Sequence, residues 1–103
     1  MARPIYIDID GTLTHSRRKG WGPPRTDVIE TAKRLIESGH QVVLWTAGGA
    51  EYASKFGEKH GIKAIAYMCK PGLIVDDNPT IRPRSRMRTL SPDQFVAEFG
   101  ATQ

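Results

Sequence analysis

The stretch Tyr6-Ile7-Asp8-Ile9-Asp10-Gly11-Thr12-Leu13-Thr14 decides the fold. Ile5, Ile7 and Ile9 are β-branched and closely spaced, which predicts a buried strand. Gly11 follows the two acids and lets the backbone turn sharply. Asp8 and Asp10 stand two residues apart, so in a strand they point the same way. Like charges about 4 Å apart repel by roughly 4 kcal/mol at an effective dielectric near 20. A strand end that carries such a pair calls for a cation, a proton or hydrogen-bond donors. On these residues alone an acidic loop after a strand reads equally well. The remainder of the chain decides between the two.

Downstream, His15 to Arg25 is rich in Gly, Pro and basic residues and predicts an excursion loop, a flap of about 15–25. Trp21 is expected to anchor it. A helix is predicted from about 27 to 38, capped by Thr26 or Asp27, with Val28, Ile29, Ala32, Leu35 and Ile36 on one face and Gly39 as its stop. Residues 41–46 are apolar nearly throughout, as a strand covered on both faces would be, and end on Thr46. Ala47-Gly48-Gly49 leads into a second helix over 50–60, with Tyr52, Ala53 and Phe56 inward. A third strand is predicted over 62–68, then a turn at Cys69-Lys70-Pro71-Gly72. Leu73-Ile74-Val75 reads as a short buried strand that ends on Asp76-Asp77. Residues 82–90 suggest a fifth strand, confined to an edge by Pro83. Ser91 and Pro92 open a last helix as N-cap and first residue, with Phe95, Val96 and Phe99 as its buried stripe and Gly100 at its end.

The alternation of strand and helix predicts a three-layer α/β/α Rossmann-like sandwich with a mainly parallel sheet, one domain over 1–103. At 103 residues the chain can bury a core without staples. One cysteine, Cys69, excludes an internal disulfide framework and fits a reducing compartment. No apolar run approaches the roughly 20 residues of a membrane span, and Met1-Ala2-Arg3-Pro4 leads straight into the predicted strand, so no signal peptide is expected. A soluble, cytoplasmic protein is the expectation. The net charge is +4, with bases gathered at Arg17-Arg18-Lys19 and at Arg82, Arg84, Arg86 and Arg88. Such clusters suit an anionic partner, although solvated loops would look the same.

In a parallel α/β sheet the ligand crevice lies beyond the carboxyl ends of the strands. Asp8 and Asp10, Thr46, Lys70 and Asp76-Asp77 fall at or just after four such ends. Their chemistry reads as phosphoryl transfer. Mg²⁺ prefers carboxylate, carbonyl and water oxygens, and Asp8, a carbonyl near Asp10 and an acid of Asp76-Asp77 can supply them. A carboxylate can attack phosphorus to give an aspartyl-phosphate. A second acid can protonate the leaving oxygen and then activate water. A lysine and a hydroxyl can neutralise and orient the phosphoryl oxygens. Thr12 and the N–H groups of Ala47 and Gly48 are candidates to bind the same group.

The set resembles the haloacid dehalogenase-like superfamily. Asp8-Ile9-Asp10-Gly11-Thr12 resembles its first motif, Thr46 after Val42-Val43-Leu44-Trp45 its second, Lys70 its third and Ile74-Val75-Asp76-Asp77 its fourth, in order. The resemblance implies Asp8 as nucleophile and metal ligand. It implies Asp10 as general acid/base with its carbonyl on the metal. Thr46 would bind the phosphoryl group, Lys70 would offset charge, and Asp76 would bind Mg²⁺ with Asp77 assisting. An acid at Asp10 favours a phosphatase over the dehalogenase or phosphonate-cleaving branches. The segments between motifs leave no room for a cap domain. An open site suits a large substrate such as a nucleic-acid end, a nucleotide or a phosphoprotein, with Arg17, Arg18 and Lys19 of the flap beside the entrance. It also suits an oligomer in which a neighbouring subunit covers the site.

Two rivals use the same residues differently. A receiver domain places its acidic pair on the first strand and its phosphorylated Asp on the third, where this chain has no isolated acid. A non-catalytic nucleic-acid-binding or regulatory module would lean on the arginines and leave the acids idle. Its salt-dependent binding would survive Asp8→Asn.

Overall fold

The structure is a computed structural model that describes residues 3–77 and 88–100. The chain is a mixed α/β protein built on parallel strands. It divides into two compact units, Met1–Lys70 and Pro71–Gln103.

The first unit carries β1 (Ile5–Asp8), α1 (Thr26–Glu37), β2 (Val42–Thr46), α2 (Ala50–His60) and β3 (Ala66–Cys69). The strands lie in the order β1-β2-β3, all parallel. Ile5 faces Val42 and Ile7 faces Leu44, while Leu44 also faces Tyr67. These side chains share one side of the sheet, because alternate residues point the same way. They pack into a single core with Ile9 and Leu13, with Val28, Ile29 and Ile36 of α1, and with Ala53 and Phe56 of α2. Val42 and Leu44 are fully buried. On the other side Tyr6 and Trp45 meet edge to face, their ring centroids 5.1 Å apart.

Helix limits follow local chemistry. Gly61 ends α2 in the left-handed conformation, at φ 70°, where a side chain would be strained. At the start of α1 the expected cap differs. Arg25 occupies the cap position, and its side chain makes no capping hydrogen bond to the helix. The Asp27 carboxylate is engaged instead by the Arg25 guanidinium at 2.8 Å and by the N–H of Val28. The third strand begins at Ala66, four residues later than the apolar run suggests. The Tyr67 hydroxyl donates to the Ile62 carbonyl at 2.8 Å and accepts from the Ala64 N–H, which fixes residues 62–64 as a folded approach to the strand.

The second unit holds β4 (Leu73–Val75), β5 (Arg88–Leu90) and α3 (Pro92–Phe99). β4 and β5 pair in parallel, Leu73 opposite Arg88. Ser91 caps α3 and Gln94 returns the bond to the cap N–H, a complete capping box. Arg88 bonds Glu98 at 2.6 Å. Phe95, Val96 and Phe99, expected as a buried stripe, are instead 41%, 64% and 39% exposed. Phe95 and Phe99 pack on each other. Val75 is likewise exposed, so β4 is not the buried strand its composition suggests. Pro83 and Arg82, Arg84 and Arg86 lie outside the described residues. Among the described residues no helix is long and apolar enough to cross a membrane.

Candidate active site

The site is assembled by the ends of three parallel strands. Asp8 closes β1 and lies opposite Trp45, one residue before Thr46, while Thr46 lies opposite Cys69, one residue before Lys70. Parallel register thus sets Asp8, Thr46 and Lys70 along one sheet edge. The Lys70 ammonium is 3.4 Å from Asp8 Oδ2. Their side chains are only 17% and 32% exposed, so the pair is partly shielded from water. Lys70 also sits over the Trp45 ring, 5.5 Å from its centroid, a cation–π contact that fixes its direction.

Beyond Asp8 the chain makes one wide turn over Ile9–Leu13, closed by the Thr14 N–H donating to the Ile9 carbonyl at 3.1 Å. Ile9 and Leu13 are buried at its base. Gly11 takes φ 85°, and a Cβ there would come 2.8 Å from Cγ of Arg17. A side chain at this position is therefore opposed both by backbone preference and by space. The turn carries Thr12 and separates the two acids. Asp8 Oδ1 accepts from the N–H of Ile9. Asp10 has left the strand, and its Oδ1 accepts from the Tyr52 hydroxyl at 2.8 Å and from the Gly20 N–H at 3.2 Å. The extended-strand expectation, in which both acids share one direction, thus gives way to two carboxylates with different partners. Asp8 faces Lys70, and Asp10 faces α2 and the flap.

The flap is a real element. Thr14 pairs with Pro24, the His15 N–H donates to the Pro23 carbonyl, and the Arg25 N–H donates to the Leu13 carbonyl. Its tip does not anchor through Trp21, which is 67% exposed. The Arg18 guanidinium instead stacks 4.0 Å over that indole. Lys19 turns back toward the sheet edge. Its ammonium donates to the Gly48 carbonyl at 3.1 Å and lies 4.9 Å from the Tyr52 ring centroid. Thr46 is buried, and its hydroxyl accepts from the Gly48 N–H at 3.1 Å. That bond holds the Ala47-Gly48-Gly49 turn against the strand end. Asp76 and Asp77 follow β4 in the second unit, so their role as metal ligands rests on the family resemblance.

Tyr52 joins the site unannounced by its sequence position. The inward face of α2 is where its spacing places it, and its ring does pack beside the core. Its hydroxyl nonetheless reaches Asp10 and also accepts from the Gly20 N–H at 3.1 Å. Burial, then the hydrogen bond to the Asp10 carboxylate, push the Tyr52 phenol above its ordinary range. The available signal was the position of a phenol in the first turn of a helix that starts at a strand end. Burial and the nearby Lys59 and Lys33 hold the His60 imidazole below the usual range.

The donors at this edge fit a hard cation in kind. Asp8 offers a partly exposed carboxylate and the turn offers main-chain carbonyls, the oxygen ligands Mg²⁺ accepts alongside water. Among the described residues no group of three or more His, Cys, Asp or Glu side chains is gathered for a metal.

No curated protein and no solved structure gives a significant match to the chain. The profile of the haloacid dehalogenase-like hydrolases matches residues 5–95, which includes every strand and helix of the first unit and both strands of the second. With the first motif's wide turn, the buried threonine of the second and the lysine of the third on one sheet edge, the chain belongs to the haloacid dehalogenase-like hydrolase family.

Proposed function

We propose that the protein is a Mg²⁺-dependent phosphomonoesterase that works through an aspartyl-phosphate on Asp8. The observation that carries the reading is the separation of the two acids: Asp8 pairs with Lys70, and Asp10 is held apart by Tyr52 and Gly20. One carboxylate is thus presented beside a cation, where an incoming phosphoryl group would be neutralised. The other is positioned by donors at a distinct place, as an acid/base must be.

In this scheme an Asp8 oxygen bonds to phosphorus as the ester oxygen departs, and Asp10 delivers the proton that the departing oxygen takes up. Water then attacks phosphorus, Asp10 receives its proton, the Asp8–phosphorus bond breaks and inorganic phosphate leaves. Lys70 offsets the charge on Asp8 and the phosphoryl oxygens. Thr46 and the Ala47-Gly48 backbone orient those oxygens from the second strand end. When bound, Mg²⁺ would supply further neutralisation of the phosphoryl charge, and Asp8 with the Asp10 carbonyl would hold it in the first unit. The basic flap, with Arg17 and Arg18 exposed, supports a polyanionic substrate such as a nucleotide or nucleic-acid end.

The test is Mg²⁺-dependent phosphate release from aryl phosphates, nucleoside monophosphates, phosphorylated oligonucleotides, sugar phosphates and a phosphopeptide, with Asp8→Asn alongside. Release that needs Mg²⁺ and disappears in the variant supports the scheme. Release that persists in folded Asp8→Asn overturns it.

A further inference from the structure

Between the flap and α2 lies a cavity of about 310 Å³. That volume is at the lower end of the range for small-molecule sites. Gly20 and Tyr52 line it, and these two residues are the hydrogen-bond donors to the Asp10 carboxylate. The cavity and the acid therefore share their walls. Pro24 and Phe56 add apolar lining. Lys55 and Lys59, one turn apart on α2, bring two ammonium groups, and His60 completes that side.

We infer that this cavity receives the leaving group of the phosphoester, and that the leaving group carries a flat ring and a second anionic group. The inference rests on the phosphatase reading for the word "leaving". An acid that protonates the departing oxygen must stand on the leaving-group side of phosphorus, and the two residues that hold Asp10, Gly20 and Tyr52, are also walls of this cavity. The rings of Tyr52 and Phe56 with Pro24 suit a planar body, because every flat ring can stack on an aromatic wall. The charges facing the cavity are mostly positive. Lys55 is bound to Glu51 at 3.0 Å, but both partners are more than three-quarters exposed, and such pairs exchange readily. Lys59 makes no ion pair among the described residues. A neutral ring alone would leave these ammonium groups unused, whereas a ring with a carboxylate or phosphate would meet them.

Two substrate pairs test this and separate the sources of such a ring. One is phenyl phosphate against 4-carboxyphenyl phosphate. The other is a nucleoside 5′-monophosphate against the corresponding 3′,5′-bisphosphate. The added anion is expected to raise kcat/KM by about tenfold in at least one pair, the scale of one charge-assisted contact, and Lys55→Gln/Lys59→Gln is expected to erase that gain. The pair that responds identifies an aryl acid or a nucleotide as the source. No gain in either pair, or a gain that persists in the folded double variant, overturns the inference while the phosphatase reading stands.

A measurement without turnover keeps the two apart. In Mg²⁺-free Asp8→Asn protein, 4-hydroxybenzoate and a nucleoside 3′-monophosphate are titrated while backbone amide resonances are followed. At least one is expected to shift Phe56 and Lys59 more than Lys70, and the neutral phenol or nucleoside to do so far more weakly. Such binding in a protein that hydrolyses none of the four esters would keep the cavity as an anion-and-ring site and remove its leaving-group role. Shifts confined to the strand ends would overturn the site itself.

Discussion

At the scale of single residues, two side chains divide the proposed chemistry. Asp8 has one oxygen on its own strand's next N–H and the other toward Lys70, so Asp8→Asn keeps the shape and removes the charge and the nucleophile. The expected loss of Mg²⁺-dependent turnover is at least about 10³-fold, since removal of a nucleophile leaves only binding and electrostatic help. Circular dichroism matching wild type would show that folding is not the cause. Tyr52 gives a second prediction through its ionisation. Its phenol is held above the ordinary value of 10.0, first by burial and then by its bond to Asp10. A raised folded-state value favours the protonated form in the native state. The resulting stability is complete below pH 10 and is lost as pH rises through the higher folded value. Denaturant titrations from pH 8 to 11 should therefore show wild type losing stability more steeply above pH 10 than Tyr52→Phe. Parallel curves would mean that Tyr52 ionises as it does in the unfolded chain.

Elements differ in how much of them could be read before the fold was known. α2 was legible to both ends because Gly49 and Gly61 bracket it, and the start of α3 was legible in Ser91 and Pro92, though the reciprocal bond from Gln94 was not. The edge residues Asp8, Thr46 and Lys70 were legible because an apolar run that stops on a polar residue marks a strand end. The late start of β3 was not, since an apolar approach such as residues 62–65 has the composition of a strand. Its geometry comes from Tyr67, whose hydroxyl bridges Ile62 and Ala64. Tyr52 was hidden for a related reason, because a ring on the inner face of a helix looks like core whatever its hydroxyl touches. The exposed α3 stripe shows the converse, that helical periodicity fixes a face but not what covers it. The contact between α2 and β3 can be tested directly. A Cβ on Gly57 would lie 2.5 Å from Cε1 of Tyr67 and 3.1 Å from the Ile62 carbonyl oxygen. The Tyr67 ring can retreat only by giving up its two hydrogen bonds. Gly57→Ala should therefore destabilise by about 1 kcal/mol, mid-range overpacking of roughly 2 kcal/mol less a helix-propensity gain of about 1 kcal/mol. An unchanged denaturation midpoint would show that β3 yields without resistance.

For the whole molecule the governing property is charge. The net +4 is carried in part by a flap whose Arg17 and Arg18 are exposed and whose Lys19 folds back onto Gly48. The flap stands next to Asp10, through Gly20, so its charge acts where a substrate chain would pass. Attraction of this kind to single-stranded nucleic acid works by counterion release. About three neutralised phosphates give a slope near −2 in log affinity against log salt, or roughly a 20-fold loss between 50 and 200 mM. A small aryl phosphate touches only the strand-end groups and should respond far less. The expected outcome is therefore a kcat/KM for a phosphorylated oligonucleotide that falls steeply with salt while that for the aryl phosphate stays nearly flat. Replacing Arg17, Arg18 and Lys19 together with Gln should flatten the oligonucleotide curve, because the released counterions are those the flap displaces. Equal slopes for the two substrates would assign the basic flap to solubility and leave a small ester as the substrate.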